Sequence, residues 1–184
     1  MPSTLTRAGS RLTHRIARRE DLDALRAVMD AAISELQRAY LDDGQIESSR
    51  TIMGLDTQLV EDGTYFVAEV DGHIAGCGGW SYRATLYGGD QTFGRSAALL
   101  DPATEPARVR AMYTHPDHTR KGVGRLILQL CEDAARAAGF TSTELMATLA
   151  GEPLYRACGY EPIEAVVDDR GGVAVPLVRM GKRL

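Results

Sequence analysis

Two glycines, Gly122 and Gly124, stand at the start of a strongly periodic helical stretch and are flanked by Arg120, Lys121 and Arg125. Inside a helix each Gly costs about 0.8–1.0 kcal/mol relative to Ala, so a pair there needs a backbone reason. One reading is loop closure beside a solvated basic face. The other is chemical: unpaired N–H groups, the positive end of the helix dipole and nearby cations together suit a polyanion. Bare Cα positions also let phosphate oxygens approach the backbone. A dinucleotide fingerprint would need a third glycine where Ile127 stands, and a Walker loop would need Gly-Lys-Ser/Thr, which the chain lacks. His115, Asp117 and His118 offer two imidazoles and one carboxylate, an incomplete set for zinc, and no metal is expected.

The elements that must position this pair follow from periodicity. Val123, Leu126, Ile127, Leu130, Ala134 and Ala137 form one apolar stripe, and Gly139 stands where a left-handed helix end is wanted. Upstream, residues 109–114 read as a strand. A first strand at 12–17 precedes an amphipathic helix over 21–40, carried by Leu22, Leu25, Met29, Ala32, Ile33 and Leu36. A weaker helical stretch spans 45–61, with a break at Gly54. Residues 64–84 read as a hairpin about Asp71-Gly72, and 85–106 as a long loop. A strand at 142–148, a short helix at 152–158 and strands at 163–167 and 173–180 complete the order. Alternating sets in "YFVAEV" are each largely apolar, as in a strand covered by helices on both sides. The layout is α/β with one central sheet.

A chain of 184 residues with 44% hydrophobic and 25% charged residues suits one domain, expected over 11–184 behind a disordered tail at 1–10. A net charge of −4 and a pI of 5.6 argue against nucleic acid or an anionic membrane as the main partner, and faintly favour a cationic acceptor. Cys77, Cys131 and Cys158 fit no metal spacing and read as free thiols of a reducing compartment, so a cytoplasmic setting is expected. No apolar run approaches the ~18 residues of a membrane span. Residues 1–19 hold five arginines and no acid, a transit-like bias set aside because residues 12–17 read as a strand.

With motif and element order taken together, the chain resembles the GCN5-related N-acetyltransferase (GNAT) family. The family's acetyl-CoA motif, Gln/Arg-x-x-Gly-x-Gly/Ala, is similar to Thr119-Arg120-Lys121-Gly122-Val123-Gly124, with Thr119 as a departure at the first position. "AMYTHPD" resembles the family's fourth strand and its exit, and "ELMATLAGEPLYRACGYEP" its fifth strand, short helix and Tyr-x-x-x-Gly-Phe/Tyr segment. The resemblance implies a mixed, mostly antiparallel sheet of about seven strands, splayed between strands four and five, with helices on both faces. It implies acetyl-CoA as cosubstrate, its pantetheine arm against Met112, Tyr113 and Thr114 and its pyrophosphate on Thr119 to Arg125, including Val123. The implied reaction is acetyl transfer to a primary amine of a small molecule or protein, by direct attack in a ternary complex. Tyr155 matches the position of the acid that protonates the departing thiolate.

The general base is not legible. Residues 107–110 carry no carboxylate where some relatives have Glu; Glu69 and Glu144 are candidates on neighbouring strands, with an ordinary edge carboxylate the favoured reading of each. The family's Asn seven residues before the Tyr is Thr148 here, and the chain contains no Asn. Trp80 and Tyr82 are candidate pocket residues, with core packing an equal reading for Trp80. Cys77 reads as a small buried residue. Alternatives are a non-catalytic CoA-binding module and a transferase for longer acyl groups. A homodimer is left open.

Overall fold

The computed structural model describes residues 4–5, 9 and 11–184. Strand β1 (Arg11–Ile16) leads through a 3-10 turn into α1 (Leu22–Leu36), α2 (Asp43–Ser49) and α3 (Thr57–Glu61). Then come β2 (Tyr65–Val70), β3 (His73–Ser81), β4 (Ala107–Thr114), α4 (Val123–Ala137), β5 (Ser142–Thr148), α5 (Glu152–Ala157), β6 (Glu161–Asp168) and β7 (Val175–Arg183). Thr4–Leu5 pairs with Leu12 and Arg11 and adds a two-residue strand to the outer edge of β1. The remaining expectation of a disordered tail over 1–10 lies almost wholly outside the described residues.

Helix α1 stops four residues short of the expected Tyr40. The Gln37 carbonyl accepts from both Tyr40 and Leu41 at 2.9 Å, which turns the chain so that Leu41 is buried while Tyr40 stays exposed. The stretch 45–61 divides into two helices on either side of Gly54, as expected. Asp42 caps α2 through the Gln45 N–H at 2.8 Å, whereas Asp56, ahead of α3, makes no side-chain cap because its carboxylate pairs with Arg95 and Arg110. The β2–β3 hairpin turns on Asp71 and Gly72, both at positive φ, as a tight primed turn requires.

The sheet runs β1-β2-β3-β4-β5-β7-β6, with Thr4–Leu5 outside β1, and only β4 and β5 are parallel neighbours. Each face carries its own core. On one side Ile127, Leu128, Cys131 and Ala135 of α4 pack on Ala68, Ala75, Trp80, Val109 and Leu145. On the other, Leu25, Met29 and Ile33 of α1 pack with Leu59, Tyr65, Val67, Cys77 and Tyr113. The buried face of α4 is rotated from the expected stripe towards Leu128, Cys131 and Ala135: Leu128 and Glu132 are buried and Ala137 is exposed, and Glu132 meets Lys182 Nζ at 2.8 Å. Among the described residues no helix is long and apolar enough to cross a membrane.

Candidate active site

The site begins with a fault in β4. Cys77 pairs with Tyr113 and Gly79 with Arg110, so two β4 residues, Ala111 and Met112, oppose the single Gly78 of β3. Ala111 takes φ +52, the left-handed region that an L side chain rarely occupies. Tyr65 Oη donates to the Ala111 carbonyl at 2.8 Å and fixes that peptide plane. Opposite the bulge, a Cβ at Gly78 would collide with the Met112 side chain and Ile127, and one at Gly76 would collide with Val123. The glycines of β3 therefore make room for what β4 and α4 place there.

The bulge also turns β4 away from its other neighbour. Only Ala107 and Arg108 pair with β5, at Thr143 and Glu144, and beyond them the two strands part. At the end of the gap lies the N-terminus of α4. Arg120 (φ +58) and Gly122 (φ +84) are both left-handed, so the loop winds into a nest of N–H groups. Helical bonding starts only with Leu126 N–H to the Gly122 carbonyl at 3.0 Å, which leaves the amides of Val123, Gly124 and Arg125 without backbone acceptors.

The two glycines are there for different reasons. Gly122 satisfies the positive φ, and a Cβ on it would meet nothing within 4 Å, so the space over it is open. At Gly124 a Cβ would lie 2.8 Å from Leu154 Cδ2, so this glycine is set by packing against α5.

A cleft of about 570 Å³ runs from this nest into the strand gap. It gathers Met112, Tyr113, Thr114, Thr119, Arg120, Gly122, Val123, Gly124 and Arg125, the positions the motif singles out, together with Thr148 and Tyr155. Lys121 is not among the lining residues and turns its Nζ to the Asp117 carbonyl at 2.9 Å. Thr119 Oγ1 donates to the Pro116 carbonyl at 3.2 Å, closing the loop locally. His118 also lines the cleft, and its buried Nδ1 has no partner. Burial, then Lys121 and His115, holds its pKa down.

Tyr155 is 8% exposed and its hydroxyl has no hydrogen-bond partner among the described residues. Burial pushes its phenol up, so it stays protonated across the ordinary pH range. It lines the cleft and also a second cavity of about 110 Å³, which shares Met53, Met112, Tyr113, Thr148 and Gly151 with the first. This second cavity takes Ile52 and Met53 from behind α2 and Leu86 and Tyr87 from the long loop. Those positions carry no sequence signature, because each of these two distant segments contributes only a few residues to a lining otherwise made by the strands.

Several candidates lie elsewhere. Glu69 is tied to Arg15 at 3.0 Å, and Glu144 to Arg108 at 3.2 Å and Arg179 at 2.7 Å, and neither lines either cavity. Trp80 packs edge-on against Tyr82 and Phe140, on the α4 side of the sheet, and neither Trp80 nor Tyr82 reaches the cleft. Cys77 is fully buried and its thiol is pushed up to about 12 by burial, which removes it as a nucleophile. Among the described residues no Asp or Glu lines either cavity.

An open mixed sheet splits beside a helix-start anion nest, with the buried phenols of Tyr113 and Tyr155 at the split, an arrangement that suits a long phosphate-bearing ligand. The chain belongs to the acetyltransferase (GNAT) domain family, whose sequence model matches residues 61–162, more than half of its length. The fold is also that of solved acetyltransferases. A GCN5-related N-acetyltransferase structure from Rhodopseudomonas palustris is 18% identical over 100% of this chain and 99% of its own, with a TM-score of 0.70. PaiA N-acetyltransferase from Thermoplasma acidophilum, in complex with coenzyme A, is 16% identical over 94% and 99%, at 0.62. YncA from Salmonella typhimurium, solved with acetyl-CoA, is 21% identical over 94% and 94%, at 0.61. A sequence search of curated proteins finds no match.

Proposed function

We propose that the protein is an acetyl-CoA-dependent N-acetyltransferase acting on a primary amine by direct attack. The observation that carries this reading is the continuity of the 570 Å³ cleft from the α4 nest, through the β4–β5 gap, to Tyr155. The residues fit the cosubstrate: open space over Gly122 and the acceptor-free amides of Val123 to Arg125 suit a pyrophosphate, with Arg120 and Arg125 adding charge. The unpaired stretch of β4 suits an amide-bearing arm, because strand N–H and C=O groups facing a gap need partners.

Bound there, acetyl-CoA supplies an activated acyl thioester. The chain's own part is positioning, polarisation and proton delivery. The bulge at Ala111–Met112, held by Tyr65, presents backbone N–H to the acyl oxygen as negative charge develops on it. Tyr155 donates to the sulfur as the C–S bond breaks, and burial of its ring keeps it in the donating form. In the test, acetyl-CoA binding is measured by calorimetry and thiol release is followed over an amine panel. Binding with amine-dependent release is expected; tight binding with no release on any amine would make the protein a CoA sensor.

A further inference from the structure

We propose that the acceptor is a small primary amine, largely uncharged at neutral pH, whose compact apolar body occupies the cavity beyond Tyr155, with simple arylamines as the plainest members of the class. This rests on the acetyltransferase reading. The cavity measures about 110 Å³ and is walled by Ile52, Leu86, Val109, Met146 and Leu177 together with the shared Met53. For scale, an apolar cavity of about 150 Å³ holds benzene. The cavity alone is smaller than that, but it opens into the cleft across Met53, Met112, Tyr113, Thr148 and Gly151, so one ring or one branched aliphatic group fits when it extends into that shared space, with the nitrogen at the Tyr155 junction.

The electrostatics of the lining decide the charge of the guest. Among the described residues no Asp, Glu, Lys or His lines the cavity, and the one charged residue that does, Arg110, is a cation. Arg110 is paired with Asp56, and that carboxylate is shared with Arg95. The titratable groups facing the space are Tyr87, Tyr113 and Tyr155, each with its phenol pushed up chiefly by burial and therefore neutral. Tyr87 donates to Asp168 at 2.7 Å, and Arg170 answers that carboxylate. An ammonium entering this space finds no counter-charge and no base to unload it.

The amine must therefore arrive neutral. A lysine-like amine with a pKa near 10.4 is neutral to about 4 parts in 10⁴ at pH 7, whereas an amine with a pKa near 5 is neutral to about 99%. In the step itself the N–C bond forms as the C–S bond breaks. The proton lost from nitrogen passes to water in the open cleft, Tyr155 gives its own proton to sulfur and regains one from solvent, and nothing is oxidised or reduced.

Aniline and cyclohexylamine are nearly equal in size and far apart in basicity, and they make the test. With the full chain and acetyl-CoA at pH 7, thiol release with aniline is expected at a kcat/KM at least 10²-fold above that with cyclohexylamine. The cyclohexylamine value should rise about tenfold per pH unit from 7 to 9 as its neutral fraction grows. Leu86→Glu places a carboxylate in the lining from a half-buried loop position and should narrow the ratio at least tenfold, whereas Leu86→Gln should not. If the Glu variant does not fold, the wild-type ratio and pH slope still decide. Equal use of both amines at pH 7, a flat pH profile, or turnover confined to strongly basic amines would overturn this inference alone. Acetyl-CoA binding without release on any amine would overturn the enzyme reading together with it.

Discussion

Removing one oxygen separates chemistry from packing at Tyr155. The hydroxyl has no partner among the described residues, so Tyr155→Phe leaves no polar group orphaned and should change stability by no more than about 0.5 kcal/mol. If the hydroxyl protonates the departing sulfur, its loss removes the usual 10²-fold or more of acid catalysis, about 2.7 kcal/mol at the transition state. Tyr160, whose ring lies edge-on 5.9 Å away, is the internal control. Its hydroxyl shares a buried 2.8 Å hydrogen bond with Thr143, so Tyr160→Phe should lower stability by about 1–3 kcal/mol and leave kcat nearly unchanged. Thermal melts, calorimetric CoA affinity and thiol-release kinetics would be measured on both variants. Because burial raises the Tyr155 phenol, ionisation of that group should put no falling limb on the wild-type kcat profile up to about pH 10. A fall in kcat of less than about threefold in Tyr155→Phe, with acetyl-CoA affinity unchanged, would refute the acid role.

Gly122→Ala places a side chain at φ +84 and should cost about 1–2 kcal/mol of stability while weakening CoA binding more than tenfold; Gly63→Ala, at φ +70 and away from the cleft, should match the first effect without the second. Calorimetric titration of both variants checks this, and wild-type affinity in Gly122→Ala would make the nest a loop closure. Tyr65→Phe frees the Ala111 carbonyl and should reduce kcat by up to tenfold with little change in CoA affinity, measured by thiol release and calorimetry. Burial opposes the charge of Asp168, but hydrogen bonds from the Arg170 side chain and backbone and from Tyr87 outweigh it and hold the carboxyl at about 2. A depressed folded-state pKa gives stability that is complete above the unfolded value of 3.8 and is lost as pH falls through 2. Urea unfolding should therefore show roughly 2 kcal/mol disappearing between pH 5 and pH 2, and a flatter profile for Asp168→Asn.

What could be read from the sequence was local. The start of α4 announces itself because glycines, cations and the onset of a 3.6-residue period fall within a few residues. The rotation of α4 was out of reach, since the partner that meets the buried Glu132 is Lys182, fifty residues on. Trp80 was ambiguous for a similar reason: an aromatic beside a long loop suits a pocket or a core, and Phe140 across the sheet decides for the core. The long loop itself is irregular yet pinned, with Thr85 bonded to Ser96, Arg83 bridged to Leu99, and Tyr87 to Asp168. Each of those partners is a residue that no short-range rule associates with its mate.

The bulge is the feature hidden most deeply, and its signal sits on the wrong strand. "VRAMYT" reads as an unbroken strand, and alanine is a poor guide to a left-handed φ. The hint is Gly76, Gly78 and Gly79 in β3, three glycines where a strand interior should hold side chains. Once they are seen as space for Val123, Met112 and Tyr65, the partner strand must do something irregular opposite them. Its irregularity costs ladder bonds, since six of the eight residues of β4 have no partner on β5. Buried strand amides left unpaired cost about 1–3 kcal/mol each, so the gap is tolerable only where water or a chain with its own amides can enter it. A slot of that kind selects for an extended, amide-bearing ligand before any side chain is consulted, and the α4 nest at its end selects for one that carries phosphate.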